Sequence, residues 1–141
     1  MPLSRVEREQ FLAEPHIAAL AVDAGAGRGP LTLPIWYAYE PGGEVTVLTG
    51  VDSRKARLIK AAGRFSLMVE RIEPTIRYVS VEGPVVGTTE GTREVLHGLA
   101  VRYLPAEKVD GYVAYALADH GEQIVFHMRP ERWYSSDLGA L

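Results

Sequence analysis

Hydrophobic and polar residues alternate along much of the chain in short runs that favour β-strands. The run at 31–39 (LTLPIWYAY) is the clearest, with Leu31, Leu33, Ile35, Tyr37 and Tyr39 on one face and Thr32, Pro34, Trp36 and Ala38 on the other. Similar runs predict five more strands, at 17–22, 44–50, 65–70, 75–90 and from 123 onward. The EPGG turn before residue 44 predicts a hairpin between the second and third strands.

Apolar residues have helical spacing in four segments, one near the N-terminus, one in the middle of the chain and two in its second half. Ser4 and Glu7 have the spacing of a capping box and predict a helix over 5–13. A second helix is predicted over 54–62, ended by Gly63, and two more over 92–104 and 109–117. Because the strands do not alternate regularly with helices, a Rossmann sheet is disfavoured. The order predicts a mainly β (α+β) fold, a small antiparallel barrel with peripheral helices.

Size and composition place the chain among single globular domains. Its 141 residues, 47% hydrophobic and 23% charged, predict one domain over 1–141. No apolar run is long enough to cross a bilayer, and the charged N-terminus argues against export, so we expect a cytoplasmic protein. The absence of cysteine excludes disulfides, thiolate nucleophiles and zinc-thiolate sites. A net charge of −3 argues against general nucleic-acid binding.

Candidate chemistry lies in the segment 49–60 (TGVDSRKARLIK). Ser53 is placed to cap the helix that follows it. Arg54, Lys55 and Arg57 then occupy the first turn, where the helix dipole already places partial positive charge. Three cations there cost about 1 kcal/mol in total, and a bound phosphate would reverse the sign of that energy. The alternative is a solvated basic helix end partly neutralised by Asp52, and the local sequence leaves both interpretations open.

Taken whole, the chain resembles the pyridoxamine 5′-phosphate oxidase-like superfamily of flavin and deazaflavin oxidoreductases. The resemblance rests on LTLPIWYAYEPGGEVTVLTG for the first hairpin, SRKARLIKAAGRFSLMVE for a phosphate helix and strand, RYVSVEGPV for the long strand, and VFHMRPERWYSSD for the terminus. It implies a six-stranded antiparallel split β-barrel with peripheral helices. Small members ending this way look most like the actinobacterial branch that uses coenzyme F420.

The resemblance also implies a homodimer with two cofactor sites at the subunit interface. In such a site a basic residue in the position of Lys55 holds the cofactor's phosphate. Ser53, Arg54 and Arg57 are its neighbours, and Trp133 is expected to reach across from the other subunit. The tricyclic ring is expected to be flanked by the hairpin strands, through Pro34, Ile35, Trp36, Leu48, Thr49 and Gly50.

The function that the resemblance implies is hydride transfer between F420 and an unsaturated or quinone-like small molecule. FMN is the closest alternative cofactor; F420 differs by an acidic oligoglutamate tail, for which Arg54, Arg57, Lys60 and Arg64 are candidate partners. A non-catalytic flavin- or haem-binding carrier or sensor is the other alternative. Because the cofactor carries the reactive atom in hydride transfer, we assign no catalytic side chain. The four histidines, His16, His97, His120 and His127, have no metal-ligand spacing, so we predict no metal site.

Overall fold

The computed structural model describes residues 1–119 and 121–140. In these residues the chain forms four α-helices, α1 (Arg5–Ala13), α2 (Arg54–Ala62), α3 (Arg93–Tyr103) and α4 (Ala106–Asp119). The strands are β1 (Ala18–Val22), β2 (Leu31–Ile35), β3 (Tyr37–Ala38), β4 (Val45–Gly50), β5 (Arg64–Arg71), β6 (Arg77–Glu90), β7 (Gln123–Met128) and β8 (Arg132–Asp137). A short 3₁₀ helix, Leu138–Ala140, ends the described chain.

The strands form an antiparallel sheet that curls into a split barrel. Their order is β2-β1-β5-β6-β7-β4-β3. Only Trp36 separates β2 from β3, so the two ends of this path belong to one interrupted strand. β6 is long enough to serve both halves, pairing with β5 up to Pro84 and with β7 from Val85 onward. The predicted mainly β barrel with peripheral helices is confirmed.

The strand count differs from the prediction. If β2 and β3 are counted as one interrupted strand, there are seven strands in the described residues and not six. The additional strand is β8, which pairs with β6 and is not part of the strand order given above. The sequence predicted one last strand from residue 123 onward, followed by a tail, and did not separate β8 from β7; RWYSSD lacks an apolar face. The structure shows why it need not have one: no residue of β8 is fully buried. Its backbone pairing with β6 therefore holds it without a hydrophobic pattern.

The core lies inside the barrel and beneath α1. Inward residues of the central strands, such as Leu20, Leu67 and Val79, are completely buried. The Tyr37 ring is also fully buried, and its hydroxyl donates to the carbonyl of Leu12 at the end of α1, at 2.6 Å. Burial raises the pKa of Tyr37 well above its usual range. This buried hydroxyl is therefore a structural donor that joins α1 to the barrel.

Arg102 in α3 fixes the helical layer to α1. Its guanidinium donates to the carbonyls of Ala13 and Glu14, at 2.8 and 2.9 Å, and lies 4.8 Å from the centre of the Tyr37 ring. A cation at the C-terminal end of a helix satisfies free carbonyls and is favoured by the dipole. The position of α3 over the barrel is thus set by specific contacts.

The end of β8 is held by a carboxylate. One oxygen of Asp137 accepts from Arg77 Nε at 2.8 Å and from the Thr75 hydroxyl at 3.0 Å. Its other oxygen accepts from the Gly139 N–H at 2.9 Å. The Gly139 N–H, helped by Arg77 and Thr75, lowers the pKa of Asp137 below its ordinary value of 3.8.

Stability is therefore expected to fall in acid partly through Asp137. A lowered folded-state pKa stabilises the fold fully above the unfolded value of 3.8, and this contribution is lost as the pH falls through the folded pKa. Urea unfolding at several pH values should show a shallower acid loss for Asp137→Asn than for the unchanged protein. Identical pH dependence in the two proteins would exclude this role.

Candidate functional site

The connection between β4 and α2 builds the corner of the site. The Ser53 N–H donates to the Gly50 carbonyl at 3.0 Å, and the Val51 N–H donates to the Glu122 carbonyl at 3.0 Å. These bonds turn the chain directly from strand to helix. The N-terminus of α2 therefore lies at the C-terminal end of β4, beside the start of β7.

Two hydroxyl groups and two free N–H groups converge at this helix start. Ser53 caps α2, as predicted, with its Oγ accepting from the Ala56 N–H at 3.1 Å. The same Oγ lies 3.0 Å from Oγ1 of Thr49, which is only 6% exposed. The N–H groups of Arg54 and Lys55 precede the first intrahelical bond, and no hydrogen bond within the described residues uses them. The two N–H groups and one of the two hydroxyls can donate to an anion, because the proton of the other hydroxyl lies in the bond between Thr49 and Ser53.

The three cations of the first turn occupy different positions. Lys55 is half-buried and lines the cavity described next, whereas Arg54 and Arg57 are exposed. Arg57 donates through Nη1 to the backbone carbonyl of Asp52 at 2.6 Å. Among the described residues, none of the three cations forms an ion pair with a carboxylate. In the described residues, Asp52 therefore does not neutralise the cations of this helix start through an ion pair, as the alternative interpretation of the sequence required.

A cavity of about 510 Å³ opens beside this helix start. Its volume is in the range of small-molecule and cofactor sites. It brings together most of the residues predicted from the sequence, namely Pro34, Ile35, Trp36, Leu48, Thr49, Gly50, Ser53 and Lys55. The predicted phosphate-binding residues Ser53 and Lys55 and the predicted ring-binding strands thus share one cavity.

Trp36 forms part of the cavity wall at the break between β2 and β3. Its ring stacks on Tyr103 with 4.7 Å between centroids and 19° between planes, and lies 5.2 Å from the Tyr112 ring. The Tyr103 hydroxyl accepts from the Tyr37 N–H at 3.1 Å and donates to the His16 carbonyl at 2.7 Å, filling the gap left by the interrupted strand. Trp36 therefore both packs under the helices and faces the cavity.

The rest of the lining was not predicted from the sequence. It includes residues of α3 and α4, the residue before β1 and the first residue of β7, namely Ile17, Leu96, Leu99, Tyr112 and Gln123. The helical spacing of 92–104 predicted an apolar helix face, but nothing local indicates what that face covers. Ile17 was predicted as the start of a strand. In the structure it lies just before β1, lines the cavity and remains 58% exposed.

Three candidate residues lie away from the cavity in this chain. Arg54 and Arg57 lie on the outer side of α2. Trp133 lies 4.6 Å from the Arg8 guanidinium and edge-on to Tyr39, at the other end of β4. Within one chain Trp133 therefore does not reach the cavity, and its contribution from a partner subunit stays a prediction.

The candidate partners for an acidic tail are also separated. Arg64 faces two carboxylates, those of Glu82 at 3.9 Å and Glu131 at 3.6 Å. Lys60 is exposed in the last turn of α2. Arg64 is thus held by two carboxylates and Arg57 by the Asp52 carbonyl, so Arg54 and Lys60 are the candidates whose side chains have neither kind of described contact.

Histidines play packing or surface roles where the structure describes them. The His16 ring packs against Phe11, and burial lowers its pKa. His127 lies between Thr89 and Glu44, at 2.8 and 3.1 Å, and His97 is exposed. His120 lies outside the described residues. No group of three or more acidic, histidine or cysteine residues within the described part of the chain could hold a metal ion.

Over residues 1–119 and 121–140, no helix has both the length and the apolar character needed to cross a membrane.

Comparison with solved structures identifies the fold. No family model matches the sequence. No curated protein matches it either. The structure is similar to an F420 reductase, with 22% identity, a TM-score of 0.68, and coverage of 89% of this chain and 94% of that one. It is also similar to a putative pyridoxamine 5′-phosphate oxidase from Listeria innocua, with 10% identity, a TM-score of 0.60, and coverage of 92% of this chain and 97% of that one. A third similar structure is HutZ, a haem storage protein from Vibrio cholerae, with 17% identity, a TM-score of 0.56, and coverage of 92% of this chain and 87% of that one. At these identities the likeness shows the fold.

Proposed function

Because this chain has the split β-barrel fold of the pyridoxamine 5′-phosphate oxidase-like structures, we propose that its cavity binds a phosphate-bearing flavin-type cofactor, F420. The proposed activity is that of an F420-dependent oxidoreductase that transfers a hydride between the deazaflavin and an unsaturated or quinone-like small molecule. The observation that carries the proposal is the set of unneutralised cations and free donors at the start of α2, on the edge of a cavity of cofactor size.

The residues present match both ends of such a cofactor. A phosphate can accept from the free N–H groups of Arg54 and Lys55 and from whichever of the Thr49 and Ser53 hydroxyls does not donate to the other, while the Lys55 ammonium supplies charge. Charge-assisted bonds of this kind are stronger than neutral ones.

The ring end of the cofactor is matched by apolar surface. Pro34, Ile35, Trp36 and Leu48 supply a wall against which a flat ring can lie. When bound, the cofactor supplies the hydride chemistry. The chain positions the ring, excludes water through the wall of α3 and α4, and holds the phosphate end fixed.

F420 is preferred to FMN on the basis of charge outside the cavity. An oligoglutamate tail needs cations near the phosphate corner, and Arg54 and Lys60 are exposed on α2. Neither forms an ion pair within the described residues. FMN, which lacks the tail, would leave both unused, so an FMN-dependent oxidoreductase is the nearest alternative.

A non-catalytic carrier or sensor of flavin or haem is the second candidate. Similarity to a haem storage protein favours it, since one fold supports both kinds of function. Each candidate makes a different prediction for which molecule the purified protein binds.

A homodimer with cofactor sites at the interface belongs to the proposal. Tyr78 in β6 is 37% exposed, and Tyr134 in the neighbouring β8 is 71% exposed. The two are close, because Tyr134 pairs with Ser80, two residues after Tyr78 on the same face of β6. Ile76 and Leu138, beside them, are 50% and 41% exposed. Exposed apolar side chains grouped in this way are typical of an interface. The contribution of Trp133 to the partner's cofactor site is a separate part of the proposal, because Trp133 and Tyr134 lie on opposite faces of β8.

Titrating the purified protein with F420, FMN and haem, while following absorbance, tests the proposal. We expect saturable binding of F420 with an affinity well above that for FMN or haem. Tight retention of FMN through purification would contradict the F420 assignment, preference for haem would favour the carrier, and binding of none would exclude the site.

A further inference from the structure

A second cavity lies at the other end of the barrel. The cofactor cavity adjoins Leu48–Gly50 at the end of β4, whereas the second adjoins Glu44, just before β4 begins. The second cavity measures about 470 Å³ and lies between α1, the turn from β3 to β4, and the connection from β7 to β8. Its lining includes Arg5, Arg8, Glu9, Tyr39, Arg129 and Trp133.

Arg8 is the unusual residue in this cavity. Its guanidinium lies 4.6 Å from the centre of the Trp133 ring. Its Nε is buried and has no hydrogen-bond partner, and no ion pair within the described residues includes Arg8. A partly buried cation without an anion is costly.

The other charges of the cavity already have partners. Arg5 faces Glu9 at 3.4 Å, and Arg129 faces Glu131 at 3.7 Å. Glu9 also accepts from the Tyr39 hydroxyl at 3.2 Å and from a backbone N–H of the turn at 3.1 Å.

The remaining carboxylate of the lining, Glu44, lies 3.1 Å from His127, and this contact is an ion pair only when the imidazole is protonated. Arg8 is therefore the one guanidinium of this lining that no described carboxylate pairs with directly.

We infer that this cavity binds a small organic monocarboxylate, with the carboxylate on the Arg8 guanidinium and the apolar body against Trp133, Tyr39 and Pro130. A guanidinium matches a carboxylate through two parallel hydrogen bonds and stays planar on an aromatic face. One unpaired cation calls for one negative charge. The aromatic and proline lining favours a ligand with a flat apolar part.

Benzoate is a suitable probe, because it combines these two features. The chain has two tryptophans, so in a Trp36→Phe variant the fluorescence comes from Trp133 alone. We expect benzoate to change this fluorescence saturably and neutral benzamide, of similar shape, to bind more than tenfold more weakly, which corresponds to about 1.4 kcal/mol or more.

Variants of Arg8 separate this site from general anion binding. In the Trp36→Phe background, Arg8→Gln should weaken benzoate binding more than tenfold, and Arg8→Lys, which keeps the charge but loses the planar fork, should retain part of it. Arg28→Gln, an exposed arginine in the β1–β2 turn, is the matched control and should bind benzoate normally. Thermal unfolding checks that each variant folds, and Arg8→Lys serves if Arg8→Gln does not.

Three outcomes would overturn the inference. They are no saturable fluorescence change, equal benzoate affinity with and without Arg8, and inorganic phosphate binding as tightly as benzoate. A change from dimer to monomer in Arg8→Gln, measured by light scattering, would also overturn it, because a second copy would then supply the anion. Because these measurements are made without added cofactor, none of these outcomes depends on whether the first cavity binds F420.

Discussion

Replacing Lys55 with alanine is expected to weaken cofactor binding more than tenfold without unfolding the protein. Lys55 is the cation of the first turn of α2 that lines the cavity, and no described carboxylate neutralises it. Removing its charge takes one charge-assisted contact from the phosphate, and tenfold corresponds to about 1.4 kcal/mol. The free protein loses only a half-buried side chain whose charge opposes the helix dipole.

Isothermal titration with F420 and with FMN measures this effect, and thermal unfolding without ligand measures stability. Lys60→Ala is the matched control, since it removes the same side chain from the same helix at its exposed last turn. Lys60→Ala should leave the affinity for FMN unchanged. It should reduce the affinity for F420 only by the loss of the proposed contact between Lys60 and the oligoglutamate tail. Equal affinity of Lys55→Ala and the unchanged protein for both cofactors would mean that the helix end is merely solvated.

The bounds of α2, at whose start we propose that the phosphate binds, were predictable because their signals are local. Ser53 caps the start of α2 and Gly63 ends it, so both residues are adjacent to the helix whose limits they set. Both predicted positions are confirmed, and Gly63 has the left-handed conformation with a φ of 72°. The hairpin of β3 and β4 was predictable for the same reason. A cap or a turn is decided by a few neighbouring residues, so these parts of the site follow from sequence.

The remaining wall was not predictable because it depends on tertiary packing. Leu96 and Tyr112 meet the cavity only because Arg102 fixes α3 to α1 and the Tyr103 hydroxyl fills the gap after Ile35. These contacts join residues far apart in the chain. β8 was not recognised as a separate strand for a related reason, since its place is set by backbone pairing with β6 and not by an apolar pattern of its own.

Gly83→Ala is expected to destabilise the protein by about 3 kcal/mol or more, through overlap with backbone that has no freedom to move. Gly83 lies in β6 where the strand changes partner from β5 to β7, and an added Cβ would overlap the carbonyl oxygen of Arg129. The loop cannot retreat cheaply, because Arg129 N donates to Pro84 O at 3.0 Å and Glu131 N donates to Glu82 O at 2.9 Å.

Gly87→Ala in the same strand is the matched control. An added Cβ at Gly87 meets no atom within 4 Å, so this substitution should change stability little or raise it slightly, because alanine restricts the unfolded chain. Urea unfolding of both variants measures the difference. Similar stabilities would show that the β7–β8 connection moves aside without cost. A large loss confined to Gly83 would show instead that close contact with the backbone of the β7–β8 connection, and not strand propensity, requires glycine there.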